Sequence, residues 1–89
     1  MPEQKETLLE FPCRFPIKAM GRAGDGFDAL VVQMVRRHVP DLNDAAVTLR
    51  ESSGGKWVSV TIMIEATSTY QLDAIYRDLS AHEKVVYAL

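Results

Sequence analysis

The run WVSVTIMIEA at residues 57–66 constrains the fold more than any other part of this sequence. Val58, Val60, Ile62 and Ile64 occupy every second position of this run. Successive side chains of a β-strand point to opposite faces, so this alternation predicts a strand with one face buried in a core. All four are also β-branched residues, valine or isoleucine, which favour strands. The chain must therefore build a sheet that is covered on at least one side.

Two other stretches change to the three-four spacing that is typical of amphipathic helices. The first apolar stripe consists of Phe27, Leu30, Val31, Met34 and Val35, and the second of Leu72, Ile75, Tyr76 and Leu79. Asp25 stands where a helix N-cap is expected, and Pro40 ends the first helix. Ser68 and Gln71 have the spacing of a capping box at the start of the second helix. We expect both stripes to lie on the sheet.

Three more strands complete the pattern. The segment FPIKAMG, residues 15–21, alternates from Phe15, and Pro16 indicates a strand beginning or an edge. A strand is predicted at 46–51, followed by a Gly54-Gly55 hairpin turn, and a last strand at 84–89. The order strand-helix-strand-strand-helix-strand predicts an α+β, ferredoxin-like split βαββαβ sandwich. Its four-stranded antiparallel sheet would carry both helices on one face.

Length and charge restrict the classes of function. With 89 residues, the chain is expected to hold a flexible N-terminus at 1–7 and one domain at 8–89. A net charge of −2 gives no general attraction for nucleic acid. The single cysteine, Cys13, excludes an internal disulfide and a cysteine metal site. His38 and His82 have no ligand neighbours at metal spacing. We predict a cytoplasmic protein with no membrane segment, metal or cofactor.

Four segments carry a resemblance to a known family: LLEFPCRFPIKAMG, VVQMVRRHVP, SSGGKWVSVTIMIEAT and YRDLSAHEKVVYAL. Together they resemble the YbeD-like family of small bacterial proteins of unknown function, from about residue 8 to residue 89. The resemblance implies a ferredoxin-like fold similar to ACT regulatory domains. It implies no catalytic residues, and it adds a loose association with lipoate metabolism through gene neighbourhood.

The glycine-rich segment between the first strand and the first helix has two interpretations. Its glycines form a tight turn that Asp25 caps, or the segment holds a ligand. The pattern G-x-x-G-x-G matches neither the dinucleotide fingerprint nor the phosphate-binding P-loop. In ACT-like domains this loop commonly contributes to the ligand site. By resemblance, the candidate ligand-binding residues are Gly21, Arg22, Gly24, Asp25 and Gly26. Arg22 would then meet a carboxylate and Asp25 an ammonium group.

The sheet face away from the helices is the second candidate surface. The alternation places on it Lys18, Met20, Trp57, Thr61 and Met63, together with Val86 and Ala88. Several of these are large and apolar, which favours a homodimer or partner interface anchored by Trp57. The alternative is that the N-terminal segment, with Leu8, Leu9 and Phe11, folds back over this face.

These observations predict a regulatory or interaction module that has no chemistry of its own. In the first hypothesis, an ACT-like module binds a small metabolite, such as an amino acid, or an enzyme partner. In the second, a ligand-free module binds proteins through the open sheet face. RNA binding is disfavoured because Trp57 is the one aromatic residue of the central strand region. An acylphosphatase-like enzyme is disfavoured because GRAGDGF lacks a phosphate-binding loop of that kind.

Overall fold

The computed structural model describes residues 10–24 and 26–89, and within them the chain forms four strands, two α-helices and a short 3-10 helix at Asp44–Ala46. The elements are β1 (Cys13–Arg22), α1 (Phe27–Arg36), β2 (Val47–Glu51), β3 (Trp57–Ala66), α2 (Thr69–Ala81) and β4 (Tyr87–Ala88). Their order confirms the predicted ferredoxin-like split βαββαβ fold. The predicted flexible N-terminus, residues 1–7, lies outside the described residues, as does Asp25.

The sheet is antiparallel throughout, with the strand order β2-β3-β1-β4. β1 and β3 pair along their whole length, and Ile17 lies opposite Ile62 in the centre. The core between the sheet and the two helices is apolar. It contains Ile17, Ala19, Phe27, Val31, Met34, Val35, Val39, Leu42, Val58, Val60, Ile62, Ile64, Ala66, Leu72, Ile75 and Leu79. Both predicted helical stripes and the inner face of β3 therefore contribute to one core.

Pro16 lies inside β1 rather than at its beginning, which corrects the sequence prediction. β1 starts three residues earlier, at Cys13, and occupies the middle of the sheet. Lys18 exchanges backbone hydrogen bonds with Leu89, so even-numbered residues of β1 turn their polar groups towards β4. Among the described residues, no strand pairs with Pro16 on that side. A residue without an N–H is tolerated there because no ladder bond is required of it.

The two helices begin differently. Ser68 caps α2, because its side-chain oxygen accepts a hydrogen bond of 3.0 Å from the backbone N–H of Gln71. The Gln71 side chain in turn accepts one from the N–H of Thr67, at 2.8 Å, so the return bond of the predicted capping box goes to the residue before the N-cap. At α1 the N-cap position belongs to Gly26, with no side-chain cap. Neither helix of the described residues is long and apolar enough to cross a membrane.

In β4, the side that packs against the core is the opposite of the one predicted from the sequence. Ala88 lies opposite the buried Ala19 and packs against the core, so its predicted position on the open face is wrong. Tyr87 lies opposite Met20 on the open face instead. The physical reason is that residues 85–89 are apolar at almost every position, so no alternation of polarity marks an inner and an outer side.

Tyr76 connects α2 to this last strand. Its hydroxyl donates a hydrogen bond to the backbone carbonyl of Leu89. Desolvation by burial raises the pKa of the Tyr76 phenol above its ordinary value. The unfolded chain therefore loses this proton at a lower pH than the folded chain does.

We expect stability to fall as the pH rises above about 10, because ionisation of Tyr76 then favours the unfolded state. The contribution of the protonated Tyr76 to stability is fully present below the ordinary tyrosine pKa, and it is lost as the pH rises through the raised pKa of the folded protein. A Tyr76→Phe variant should show a shallower alkaline loss in urea unfolding at several pH values. Tyr70→Phe is the control, since Tyr70 is 80% exposed. A Tyr76→Phe profile identical to that of the wild type would contradict this account.

Candidate functional site

A cavity of about 250 Å³ lies where the end of β1 meets the start of β3 and the connection from α2 to β4. We call it the strand-end cavity. Its lining residues are Arg22, Gly24, Phe27, Trp57, Glu83, Lys84 and Val86. Cationic, anionic, aromatic and aliphatic groups thus surround one small volume. A site of this composition suits a small polar molecule with a charged end.

The glycine-rich loop forms one wall of the cavity. Gly24 and Gly26 have φ angles of 93° and 69°, in the left-handed region that glycine adopts without strain. The N–H of Phe27 donates to the carbonyl of Gly24, at 3.3 Å, and closes the turn before α1. Gly24 lines the cavity, whereas Gly26 serves as the N-cap of α1. The loop is therefore a turn, and one part of it also faces the cavity.

Gly21 has a packing role that the sequence did not reveal. A Cβ atom built at Gly21 would lie 2.6 Å from Cζ of Phe27 and 2.7 Å from the carbonyl oxygen of Lys84. Real Cβ atoms do not approach other atoms so closely. Gly21 is buried within β1, and its missing side chain lets the α2–β4 connection approach that strand. Gly21 thus lets Phe27 and Lys84, which line the cavity, lie close to β1.

Arg22 and Trp57 form the rim of the cavity on the sheet side. They lie opposite each other in the register of β1 and β3. Cζ of Arg22 lies 5.8 Å from the centroid of the Trp57 ring, within the range of a cation–π interaction. The Arg22 guanidinium is thus held beside the cavity, and a guanidinium can bind a carboxylate through two parallel hydrogen bonds. Trp57, which the sequence predicted only as an interface residue, thus also borders the cavity.

Sequence reasoning missed Glu83 and Lys84 as site residues. Both lie in the connection between α2 and β4, and their side chains are exposed at the cavity. A turn precedes β4, and in it Nδ1 of His82 accepts a hydrogen bond of 3.1 Å from the Lys84 N–H. The predicted topology could have indicated that these two residues lie near the glycine-rich loop. In a ferredoxin-like sheet, the start of β4 lies beside the end of β1, where the glycine-rich loop begins.

The predicted interface residues do lie together on the face of the sheet away from the helices. Lys18 is opposite Thr61 in the pairing of β1 and β3, and Met20 and Met63 lie on the same side. Phe11, which the alternative interpretation placed over this face, packs against the core cluster instead. Leu8 and Leu9 lie outside the described residues.

A larger groove of about 650 Å³ runs between α1 and the edge strand β2. Its apolar wall includes Val32 and Leu49, and Leu49 is 49% exposed. Two of its charged groups are paired with each other, because Arg36 forms an ion pair of 3.1 Å with Asp44 and also donates to the carbonyl of Leu42. The strand-end cavity is the better candidate site, because unlike charges and an aromatic ring surround a smaller volume there.

His38 and Asp78 tie the two helices together. Nε2 of the histidine lies 2.7 Å from Oδ2 of the aspartate, and the Gln71 side-chain amide donates to the His38 carbonyl at 3.1 Å. Both contacts join the end of α1 to α2. The geometry assigns His38 a structural role, compatible with the surface or capping role expected from the sequence.

Comparison with known proteins identifies the family. Residues 6–89 match a family described as "Protein of unknown function (DUF493)". A UPF0250 protein of Chromobacterium violaceum is 47% identical over 89 residues, which is the whole of both chains. The chain belongs to the DUF493/UPF0250 family. A UPF0250 protein of Azotobacter vinelandii is 49% identical over 78 residues, covering 86% of this chain and 85% of that one.

The family assignment confirms the resemblance to YbeD-like proteins. The solution structure of protein HP0495 from H. pylori has a TM-score of 0.72 against this chain at 16% identity. The match covers 91% of this chain and 85% of HP0495. At that identity the likeness concerns the fold alone, and it agrees with the ferredoxin-like topology described above.

Proposed function

We propose that this member of the DUF493/UPF0250 family is an ACT-like regulatory module that binds a small carboxylate-bearing metabolite in the strand-end cavity. An amino acid is the ligand class that fits best. In this proposal the protein has no chemistry of its own and acts in the cytoplasm, where its single, half-buried Cys13 stays reduced.

One observation carries the proposal. The glycine-rich loop, β3 and the α2–β4 connection bring Arg22, Lys84 and Glu83 around the same cavity beside Trp57. A guanidinium and an ammonium group attract a carboxylate, and a nearby carboxylate attracts the ammonium of a zwitterion. The volume, about 250 Å³, is smaller than the range common for drug-sized ligands and suits a molecule with few heavy atoms.

The same placement provides a way to transmit binding. A ligand between Arg22 and Lys84 would connect β1 to the segment that leads into β4. β4 has only two residues in its ladder with β1, so it is the strand with the least pairing in the sheet. Binding would favour the arrangement in which β4 is docked and thereby change the surface offered to an enzyme partner.

Fluorescence of Trp57 tests the proposal, because Trp57 is the only tryptophan of the chain and borders the cavity. We expect saturable changes on titration with one or more free amino acids or lipoate-related acids. At a ligand concentration of about 100 times Kd, the free energy of unfolding should rise by about 2.7 kcal/mol. Thermal unfolding with and without the ligand measures this stabilisation.

Matched variants locate the binding site. Arg22→Ala and Lys84→Ala should each weaken binding about tenfold or more, because each removes a charge-assisted contact. Arg77→Ala removes an exposed cation from α2, away from the cavity, and should leave binding unchanged. Equal loss in all three variants, or no saturable response to any of these acids, would contradict the proposal.

A further inference from the structure

The open face of the sheet has a charge opposite in sign to that of the chain as a whole. The open face comprises the strand residues that point away from the helices, among them Arg14, Pro16, Lys18, Met20, Arg22, Thr48, Arg50, Trp57, Ser59, Thr61, Met63, Glu65 and Tyr87. Four of these are cationic and one, Glu65, is a carboxylate. The whole chain has 12 acidic and 10 basic residues and a net charge of −2. Of the residues that the structure describes, four of the nine basic ones and one of the nine acidic ones lie on this face, so it carries an excess of positive charge.

We propose that this face docks an acidic, amphipathic segment of a partner protein. The charge of the face attracts an anionic surface over distances of about a Debye length, roughly 8 Å at physiological salt. Lys18 and Arg50 are exposed, and neither forms an ion pair with any residue that the structure describes. Their charges are thus available to carboxylates of a partner. The proposal goes beyond ligand binding in the strand-end cavity and does not depend on it.

Two depressions on the face explain why the partner should be apolar as well as acidic. One, of about 180 Å³, is lined by Met20, Arg50 and Trp57 among others. The other, of about 600 Å³, is lined by Arg14 and Met63 among others. Each combines a methionine with an arginine and with one carboxylate, Glu51 in the first and Glu65 in the second. Methionine adapts its shape to an apolar partner group, and the arginine can hold a carboxylate beside it.

The spacing of the two methionines defines the partner further. Met20 lies opposite Ser59 and Met63 lies opposite Pro16, so the methionines are four residues apart along the paired strands. At the rise of a β-strand this separation is roughly 13 Å. An amphipathic helix spans that distance in a little over two turns, so one helical face can reach both depressions.

A nucleic acid is the less suitable anionic partner. Proteins with this topology that bind single strands stack bases on aromatic side chains in the middle of the sheet. Here the central positions of the open face hold Lys18, Thr61 and Met63. Trp57 lies at the beginning of β3, and Arg22 already stacks on its ring. The face offers cations and flexible apolar groups, and no central platform for bases.

Fluorescence anisotropy with the full chain tests the proposal. The probes are a labelled amphipathic peptide of leucine and glutamate, about 15 residues long, its counterpart with lysine in place of glutamate, and a single-stranded oligothymidylate. We expect the acidic peptide to bind, with an affinity that falls as sodium chloride is added, and the basic peptide not to bind. Failure of the acidic peptide to bind, or tighter binding of the oligonucleotide, would overturn the proposal.

Charge reversal locates the docking surface. The double variant Lys18→Glu/Arg50→Glu should bind the acidic peptide about tenfold or more weakly, because attraction is replaced by repulsion. Arg37→Glu/Arg77→Glu makes the same change in net charge at two exposed positions on the helical side and should bind like the wild type. Circular dichroism checks that both variants remain folded. Equal weakening in both would overturn the proposal, because only net charge would then matter.

The chain's own N-terminal residues are tested in the same assay. Segment 1–9 contains two carboxylates, Glu3 and Glu6, and the apolar Leu8 and Leu9. A Leu8→Ser/Leu9→Ser variant should bind the acidic peptide with unchanged affinity if the face serves a partner. A clear rise in affinity would show that the chain's own segment competes for the face, and it would overturn the assignment to a partner protein.

Discussion

Leu79→Ala should lower the free energy of unfolding by about 2–5 kcal/mol. Leu79 is 0% exposed and lies on the side of α2 that packs against the sheet. Shortening it removes apolar contacts and leaves a cavity that the neighbouring strands can fill only in part. A domain of this size has a total stability of roughly 5–15 kcal/mol, so the loss would be a large fraction of the whole.

Leu49→Ala is the matched control, because it makes the same chemical change at a leucine that is 49% exposed on the edge strand β2. Its loss should stay below about 1 kcal/mol, since about half of the side chain already contacts water. Urea unfolding of both variants measures the difference. If Leu79→Ala does not fold, Ile62→Val keeps the test possible, with an expected loss of about 0.5–1.5 kcal/mol. Equal losses at positions 79 and 49 would contradict the packing of α2 on the sheet.

Gly21→Ala should destabilise the protein by about 1–3 kcal/mol through overpacking. The added methyl group would lie 2.7 Å from the Lys84 carbonyl oxygen and 2.6 Å from Cζ of Phe27. A backbone carbonyl cannot rotate away, and Phe27 is itself only 3% exposed. The steric clash can therefore be relieved only if the α2–β4 connection moves away from β1.

Gly54→Ala is the control for this substitution. Nothing lies within 4 Å of a Cβ atom at Gly54, so the change in stability should stay within about 0.5 kcal/mol. Amide hydrogen exchange adds a local measurement. The N–H of Val86 donates to the carbonyl of Met20 at 2.9 Å, and its protection should fall in Gly21→Ala but not in Gly54→Ala. A stable Gly21→Ala protein with full protection at Val86 would contradict the close packing of the α2–β4 connection against β1.

The elements with a strong period were predictable from sequence. The alternation from Val58 to Ile64 and the stripe from Leu72 to Leu79 each have one apolar side, and burial of that side fixes their orientation. Ser68 and Gln71 marked the beginning of α2 through a local hydrogen-bonding pattern. In these cases the physical cause of the structure is present within about ten neighbouring residues.

The other features depend on contacts between distant parts of the chain. Ala88 faces the core because β4 must pair with β1, and its apolar neighbours gave no sign of this. Pro16 is accepted in a central strand because β4 does not extend beside it. Gly21 looked like part of a ligand loop, although the atoms that require a glycine there belong to Phe27 and Lys84. The same dependence hid Glu83 and Lys84 from the candidate site.

The interface and ligand sets of residues were predicted as separate sites, yet they meet at Trp57. The register that places Arg22 opposite Trp57 also places Lys18 opposite Thr61 along the same pair of strands. The cavity and the open face thus share one border. A ligand that changes the position of Arg22 or Trp57 would therefore also change one end of the proposed docking surface.

Binding of a small carboxylate in the strand-end cavity is the central claim. An amide-resolved NMR titration of the wild-type chain with pooled amino acids and lipoate-related acids tests it most directly. We expect saturable shifts at Gly24, Lys84 and the Trp57 indole, with little change at Ala66, at the opposite end of β3 from Trp57. Saturable shifts elsewhere, or none for any of these acids, would contradict it and would leave the glycine-rich loop as a turn.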